Sequence, residues 1–396
     1  MAEGLKRRIG LGLLTAYGVG VMVGAGIYVL VGAVVANAGL WAPLSFILAG
    51  VIAAPTALSY AEFSSRLPEA AGEAIYVAKG TGLSALGTFV GLAIVFAGTV
   101  SAAAVLRGGA GYLAAFVEAI PLNGAIVGLG LGLVLVAVIG ALESLALAAL
   151  FTLVEIIGLA LVIWAGFSAP AVSDLAALAP PVWSGVALGA VLAFFAFIGF
   201  EDIVNMAEEV KNPTQVLPRA ILYSLVIASA VYALVTFAAI RSVPAELLAQ
   251  SERPLVLVWQ AGIGGSVAFL SLIAVTAALN GVLAQIVMAA RVLFGLGRRG
   301  GHLAVFHHPH RKFGTPVLAT VLIGACVIAA ALALPVASLA ELTSTVLLSV
   351  FVIVNLSLIL LKRRTPVAPF CVPMAVPILG LVAAVAALAI TFGGLS

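Results

Sequence analysis

Long apolar runs dominate the chain, and their length decides what it can fold into. A helix that crosses the hydrocarbon of a bilayer needs about 20 mostly apolar residues. Runs of that kind lie near 10–36, 40–64, 82–107, 122–142, 145–168, 184–209, 217–240, 254–296, 316–334, 337–361 and 371–394. The eighth is long enough to hold a cytoplasmic extension or a kink. None shows the period-2 alternation of a membrane barrel, and helices are the other way to satisfy a backbone in lipid. The runs therefore predict an all-α polytopic membrane protein of about eleven transmembrane helices. Composition agrees: 64% of residues are hydrophobic and 8% charged, against roughly 25% charged in a soluble domain.

Charge placement sets an orientation. With the N-terminus cytoplasmic, the inner segments hold Lys6, Arg7, Arg8, Arg66, Lys79, Lys211, Arg219, Arg291, Arg298, Arg299, Arg311, Lys312, Lys362, Arg363 and Arg364. Only Arg107, Arg241 and Arg253 fall outside, as the positive-inside rule requires. Trp41, Trp164, Trp183 and Trp259 all fall at outer helix ends, the pattern of an interfacial aromatic belt. The first run is too long for a signal-peptide core and is expected to be retained. The basic residues read as orientation signals, not as a nucleic-acid surface. Cys326 and Cys371 lie in or beside apolar runs and are expected to be buried small hydrophobes. His302, His307, His308 and His310 are expected in a solvated loop, and no metal or cofactor is implied.

Two runs differ from the rest, and they lie five helices apart. The first carries Gly18, Gly20, Gly24 and Gly26. The sixth carries Phe194-Phe195-Ala196-Phe197-Ile198-Gly199-Phe200-Glu201-Asp202, with two carboxylates near its middle. Interrupted helices in matching positions of two halves point to a transporter with inverted repeats. The expected division is residues 1–168 as one repeat of five helices, 183–364 as the second, and 365–396 as an appended helix.

The chemistry follows from those interruptions. Small residues at Gly24-Ala25-Gly26-Ile27 let the backbone unwind in mid-membrane, freeing N–H groups that cost several kcal/mol if left unpaired. A carboxylate can accept them, aided by the positive end of the following half-helix. Gly20-x-x-x-Gly24 is also a helix-packing motif, and the sequence leaves the two readings open. Glu201 and Asp202 sit in an apolar span, where a charge costs roughly 2.5–3.5 kcal/mol and points to a functional role. The alternative is that the span ends near Phe200 and both acids are solvated, although Val204, Met206 and Ala207 continue the run. Glu155 is a lone acid two turns into the fifth run, a candidate proton or cation site with a structural hydrogen bond as the alternative. Thr276, Asn280 and Gln285 in the eighth run read as helix-stitching polar residues, the first two also as partners of a coupling ion.

Several segments together resemble the amino acid–polyamine–organocation superfamily over nearly the whole chain. They are Val23-Gly24-Ala25-Gly26-Ile27-Tyr28, Ala61-Glu62-Phe63-Ser64-Ser65-Arg66-Leu67-Pro68, and Phe195 to Glu201. Further matches are Ala207-Glu208-Glu209-Val210-Lys211-Asn212-Pro213, Leu217-Pro218-Arg219-Ala220-Ile221, and Arg291-Val292-Leu293-Phe294 leading to Arg299-Gly300. The resemblance implies the five-plus-five inverted-repeat fold. It implies that N–H groups around Ala25, Gly26 and Ile27 hold a substrate carboxylate. Carbonyls near Val21 and Val23, and of Ala196, Phe197 and Ile198, would hold the α-ammonium. Phe195 resembles an aromatic gate, and Glu201 matches a glutamate with a proton- or substrate-sensing role in arginine/agmatine exchangers. Four departures stand out. Ala25 replaces a serine, Ala70-Ala71-Gly72 replaces a Gly-Gly, eleven helices stand where twelve are usual, and Glu155 aligns with a lysine of several relatives.

The resulting expectation is a membrane-bound, non-enzymatic permease in the inner or plasma membrane. It would move neutral or cationic amino acids by alternating access, with a proton as the coupling ion or sodium in its place. An amino acid or polyamine exchanger is the alternative within the class. A channel or membrane-embedded enzyme is the alternative outside it, although no Ser/His, metal-ligand or paired-Asp constellation is evident.

Overall fold

The fold is that of a computed structural model describing residues 9–68, 72–117, 119–139, 145–172, 179–207, 210–251, 253–265, 268–297, 301–308, 310 and 315–393, excepting the side chains of 25, 29, 115, 116, 145–149 and 205. Lys6, Arg7, Arg8, Ala70, Ala71, Glu208, Glu209, Arg298, Arg299, Gly300, Arg311 and Lys312 lie outside the described residues.

The helices are α1 (Leu11–Ala38), α2 (Ala42–Arg66), α3 (Gly72–Thr81), α4 (Ser84–Phe116), α5 (Leu122–Ile139), α6 (Leu145–Ser168) and α7 (Trp183–Phe194). They continue as α8 (Pro213–Ser242), α9 (Ala245–Gln250), α10 (Pro254–Gly262), α11 (Ala268–Gly297), α12 (Val317–Ala333), α13 (Val336–Arg364) and α14 (Ala375–Gly393). Among the described residues ten stretches are long and apolar enough to cross a membrane, and α12 is a further apolar helix of 17 residues. Among the described residues no strand forms. The only pairing of that kind is an isolated bridge between Ile9 and Val210. The all-α polytopic expectation holds.

The eighth run is not one helix. It divides into α10 and α11 around Gly264 and Gly265, whose φ of 70° and 71° no α-helix tolerates. Both glycines adopt a left-handed backbone without a Cβ penalty, which is the reason the break falls there.

α1 is central, packing against α6, α7, α8, α9 and α11, while α4 packs most extensively on α11 and also on α13, α12, α3 and α5. The peripheral helices show lipid-facing stripes. On α5, Leu131, Leu135 and Ile139 recur at helical spacing and are 59%, 60% and 50% exposed. Trp164 and Trp183 are exposed, as belt residues would be. Trp259 departs from that expectation: it is buried, with Phe269 edge-on at 4.6 Å. Cys326 and Cys371 depart as well, since both thiols are exposed, the first on the outer face of α12.

Polar side chains stitch the bundle. Asn355 on α13 donates to Thr56 Oγ1 (2.8 Å) and accepts from Ser59 Oγ (2.7 Å) on α2. One and a half turns further on, Glu62 is fully buried and accepts from Lys362 Nζ at 2.9 and 2.7 Å, from Arg66 Nε at 2.9 Å and from the Val372 N–H at 2.9 Å. This network ties the end of α2 to α13 and to the strand of chain leading into α14.

Candidate functional site

The two interrupted helices meet back to back. α1 leaves helical geometry at Gly24 (φ 11°, ψ −162°). α7 ends at Phe194, passes through a 3₁₀ turn at Phe195–Phe197, and resumes as a second 3₁₀ segment, Glu201–Met206. Between them Ile198 is extended and Gly199 takes φ 122°. Gly199 is required twice over. Its φ suits glycine alone, and a Cβ there would lie 2.6 Å from Val21 Cγ1 and 3.1 Å from the Val21 carbonyl carbon. Gly26 faces Ala196, its hypothetical Cβ 3.4 Å from that Cα. The Gly20-x-x-x-Gly24 motif divides its roles: Gly20 packs directly on Thr152 of α6, whereas Gly24 has nothing within 4 Å of a Cβ position and opens onto a cavity.

That cavity, about 20 Å³, is lined by Val21, Met22, Gly24 and Gly26 of α1 and by Phe195 and Ile198 of the broken helix. Its opposite wall is Ser101 and Val105 of α4 with Gly281 and Gln285 of α11. Such a volume holds about one water molecule, so the conformation is a contracted one. None of these ten residues is charged. One wall thus offers unwound backbone and the other offers apolar surface with two polar side chains.

The sequence-expected residues distribute around this cavity as follows. Val21, Gly24, Gly26, Phe195 and Ile198 line it, and Val23, Ile27 and Phe197 are fully buried beside it. Ala196 abuts α1, but its carbonyl already accepts from Tyr232 Oη of α8 at 2.7 Å, as does the Met22 carbonyl. Tyr232 therefore clamps the two breaks together, with its ring edge-on to Phe197 at 5.1 Å. Ala25 belongs to the break, and its side chain is outside the described set.

The carboxylates do not line the cavity. Glu201 turns back to accept the Gly199 N–H at 3.0 Å, holding the break from behind. Asp202 accepts from Gln285 Nε2 of α11 at 3.0 Å. A third acid, Glu73 on the short α3, lies close enough to act electrostatically on both. Burial pushes the Glu73 carboxyl up to about 7, against the lowering effect of its own backbone N–H and the Tyr60 hydroxyl.

Glu155 stands apart, fully buried on α6. Asn280 Nδ2 reaches its Oε1 at 3.5 Å, and Oε2 has no partner. Tyr28 Oη donates to the Glu155 carbonyl at 3.3 Å and Tyr112 Oη to the Tyr28 carbonyl at 2.8 Å, which ties α6 and α4 to α1 just past its break. Thr276 is not drawn into this group: its hydroxyl bonds back to the Leu272 carbonyl at 2.8 Å. Tyr232, Tyr112, Glu73 and the Asp202 contact of Gln285 were not legible as site features, since each acts through a partner remote in sequence.

Residues 9–395, nearly the whole chain, match the amino acid permease family. The chain is 28% identical over 361 residues to the branched-chain amino acid permease BcaP of Bacillus subtilis, covering 85% of this chain and 76% of that protein. It is 30% identical over 331 residues to the chloroplastic cationic amino acid transporter 9 of Arabidopsis thaliana, covering 78% of this chain and 58% of that longer protein. It is 28% identical over 366 residues to the methylthioribose transporter of Bacillus subtilis, covering 86% and 78%. Helices that span lipid, two of them broken around a shared cavity, and this likeness over almost the full length converge: the chain belongs to the amino acid permease family, a family of transporters and not of enzymes.

Proposed function

We propose that the chain is a secondary active transporter of neutral amino acids that works by alternating access, with a proton as coupling ion. In this reading residues 1–168 and 183–364 are oppositely oriented repeats, 365–396 is appended, and the N-terminus is cytoplasmic in the inner or plasma membrane. The observation that carries it is the cavity at the facing breaks, whose ten lining residues carry no charge.

The substrate's two charged ends go to the backbone. The N–H groups of Ala25, Gly26 and Ile27 hold the carboxylate at the start of a half-helix, where the dipole favours an anion. The α-ammonium goes to the carbonyls of Val21, Val23, Phe197 and Ile198, with the Ala196 oxygen offering the lone pair that Tyr232 leaves. Phe195 in the wall closes over it. A cationic side chain would find no carboxylate within this wall, because Glu201 and Asp202 are engaged behind it. The cavity must widen to admit any amino acid, so binding is coupled to movement of the two broken helices against α4 and α11.

Glu155 is the coupling group in this reading. Its bare Oε2 leaves a place for a proton beside Asn280 and against α1. Proton movement there alters contacts between α6, α11 and α1 as the cavity opens to one side or the other. The test is accumulation in proteoliposomes under a pH gradient, a sodium gradient, or neither. The wild type should accumulate substrate with the pH gradient alone, and Glu155→Gln should equilibrate substrate without accumulating it. Full pH-driven accumulation by Glu155→Gln removes Glu155 from the role, and accumulation driven by sodium alone replaces the proton.

A further inference from the structure

We infer that Gln285 is a specificity-determining residue, which selects substrates carrying a hydrogen-bond donor on a short side chain over their apolar isosteres. The inference rests on the reading above that a neutral amino acid sits with its charged ends at the helix breaks. If the ends are held there, the side chain projects to the opposite wall, which is Ser101 and Val105 of α4 and Gly281 and Gln285 of α11.

Gln285 is 5% exposed and its carboxamide has two unlike ends. Nε2 donates to Asp202 Oδ2 at 3.0 Å. A carboxylate only accepts, so this contact decides which end of the amide faces it. The carbonyl oxygen is then turned the other way, and Oε1 has no partner. It packs against Gly98, one turn before Ser101 on α4, where a Cβ would come to 3.0 Å. Gly98 lies beyond the present lining, so the oxygen meets a substrate as the cavity widens between α4 and α11. A buried amide oxygen without a partner is a standing penalty that a ligand donor relieves.

Ser101 is the other polar side chain of that wall; the bare Gln285 oxygen adds an acceptor to it that separates a hydroxyl from a methyl of the same size. Threonine and valine are such a pair, and serine and alanine differ by the same hydroxyl. A hydroxyl reaching Oε1 gains a hydrogen bond, whereas valine there leaves the oxygen buried and bare. A net hydrogen bond amounts to a factor of roughly three to ten in affinity. Asp202 has a share in this selectivity without touching the substrate, because it fixes the amide's orientation. An asparagine in its place offers both a donor and an acceptor, and the amide is then free to turn over.

The experiment is calorimetric titration of threonine, valine, serine and alanine into the full-length protein in nanodiscs. It compares wild type with Gln285→Met, which keeps length and removes polarity, and with Asp202→Asn, which keeps shape and leaves Gln285 in place. Wild type should bind threonine over valine and serine over alanine by about three- to tenfold. Gln285→Met should bring both ratios to within about twofold with valine affinity kept or raised, and Asp202→Asn should lower both ratios. Undiminished ratios in either variant overturn the inference, as does a wild type that binds valine as tightly as threonine. Should Gln285→Met not fold, the Asp202→Asn ratios decide alone. If none of the four binds while lysine or arginine does, the neutral-substrate reading itself fails.

Discussion

Replacing Gly199 by alanine puts the contact between the two broken helices to a direct test. At φ 122° an L-residue is strained, which costs of the order of 1–3 kcal/mol. The added Cβ would also stand 2.6 Å from Val21 Cγ1, 3.1 Å from the Val21 carbonyl carbon and 3.2 Å from the Met22 nitrogen. The last two are backbone atoms of α1 and cannot rotate away, so overpacking adds roughly 1–3 kcal/mol. Together the loss is about 2–6 kcal/mol, a fall of roughly 3–7 °C in Tm for a chain of this length. Gly128→Ala on α5 is the matched control. That glycine is helical, exposed and has nothing within 4 Å of a Cβ, so alanine should be neutral or gain roughly 0.5–1 kcal/mol. Thermal unfolding in detergent, followed by near-ultraviolet dichroism, gives both values, and uptake in liposomes gives the functional loss. A Gly199→Ala protein as stable and active as Gly128→Ala would refute the close approach of the two breaks.

Three other perturbations follow from the same geometry. Tyr232→Phe keeps the ring packing on Phe197 but strips the Met22 and Ala196 carbonyls of their shared donor; a loss of about 1–3 kcal/mol should appear in Tm, together with weaker substrate binding by titration. Lys362→Met leaves the fully buried Glu62 with Arg66, the Val372 N–H and the weak Cys371 thiol donor, which should cost about 1–3 kcal/mol; adding Glu62→Gln should recover part of the Tm. Glu73 gives the pH dependence. Its carboxyl is raised from 4.5 to about 7 in the folded chain, so its contribution is fully present below pH 4.5 and is lost as pH rises through about 7. The shift corresponds to roughly 3 kcal/mol at most, and Glu73→Gln should flatten the fall in Tm over that interval.

The spans were legible because bilayer thickness dictates a length and apolar runs reveal it. The two breaks were legible as a pair, from the glycines of the first run and the aromatic, acid-bearing segment of the sixth five helices on, although Gly20-x-x-x-Gly24 left packing and unwinding open at Gly24. The length of 254–296 allowed a kink, but its place was not assigned, although the Gly264-Gly265 pair carried the signal. Which face of a helix meets lipid was not readable, because both faces are apolar; hence Cys326 and Trp259 lie opposite to expectation. Tyr232, Gln285 and Glu73 act through partners on other helices, and no local pattern announces such pairings. Glu201 could be found by its depth in an apolar run, but its turn toward the Gly199 N–H, away from the cavity, was decided by the φ of that glycine.

The measurement that bears most directly on the neutral-substrate site at the two breaks is competitive uptake in proteoliposomes with an acidic exterior. Labelled threonine would be challenged by each neutral and each cationic amino acid. The expected result is saturable threonine accumulation that neutral amino acids block and that lysine and arginine leave untouched. Accumulation of lysine or arginine with threonine excluded, or flux that never saturates, would contradict it.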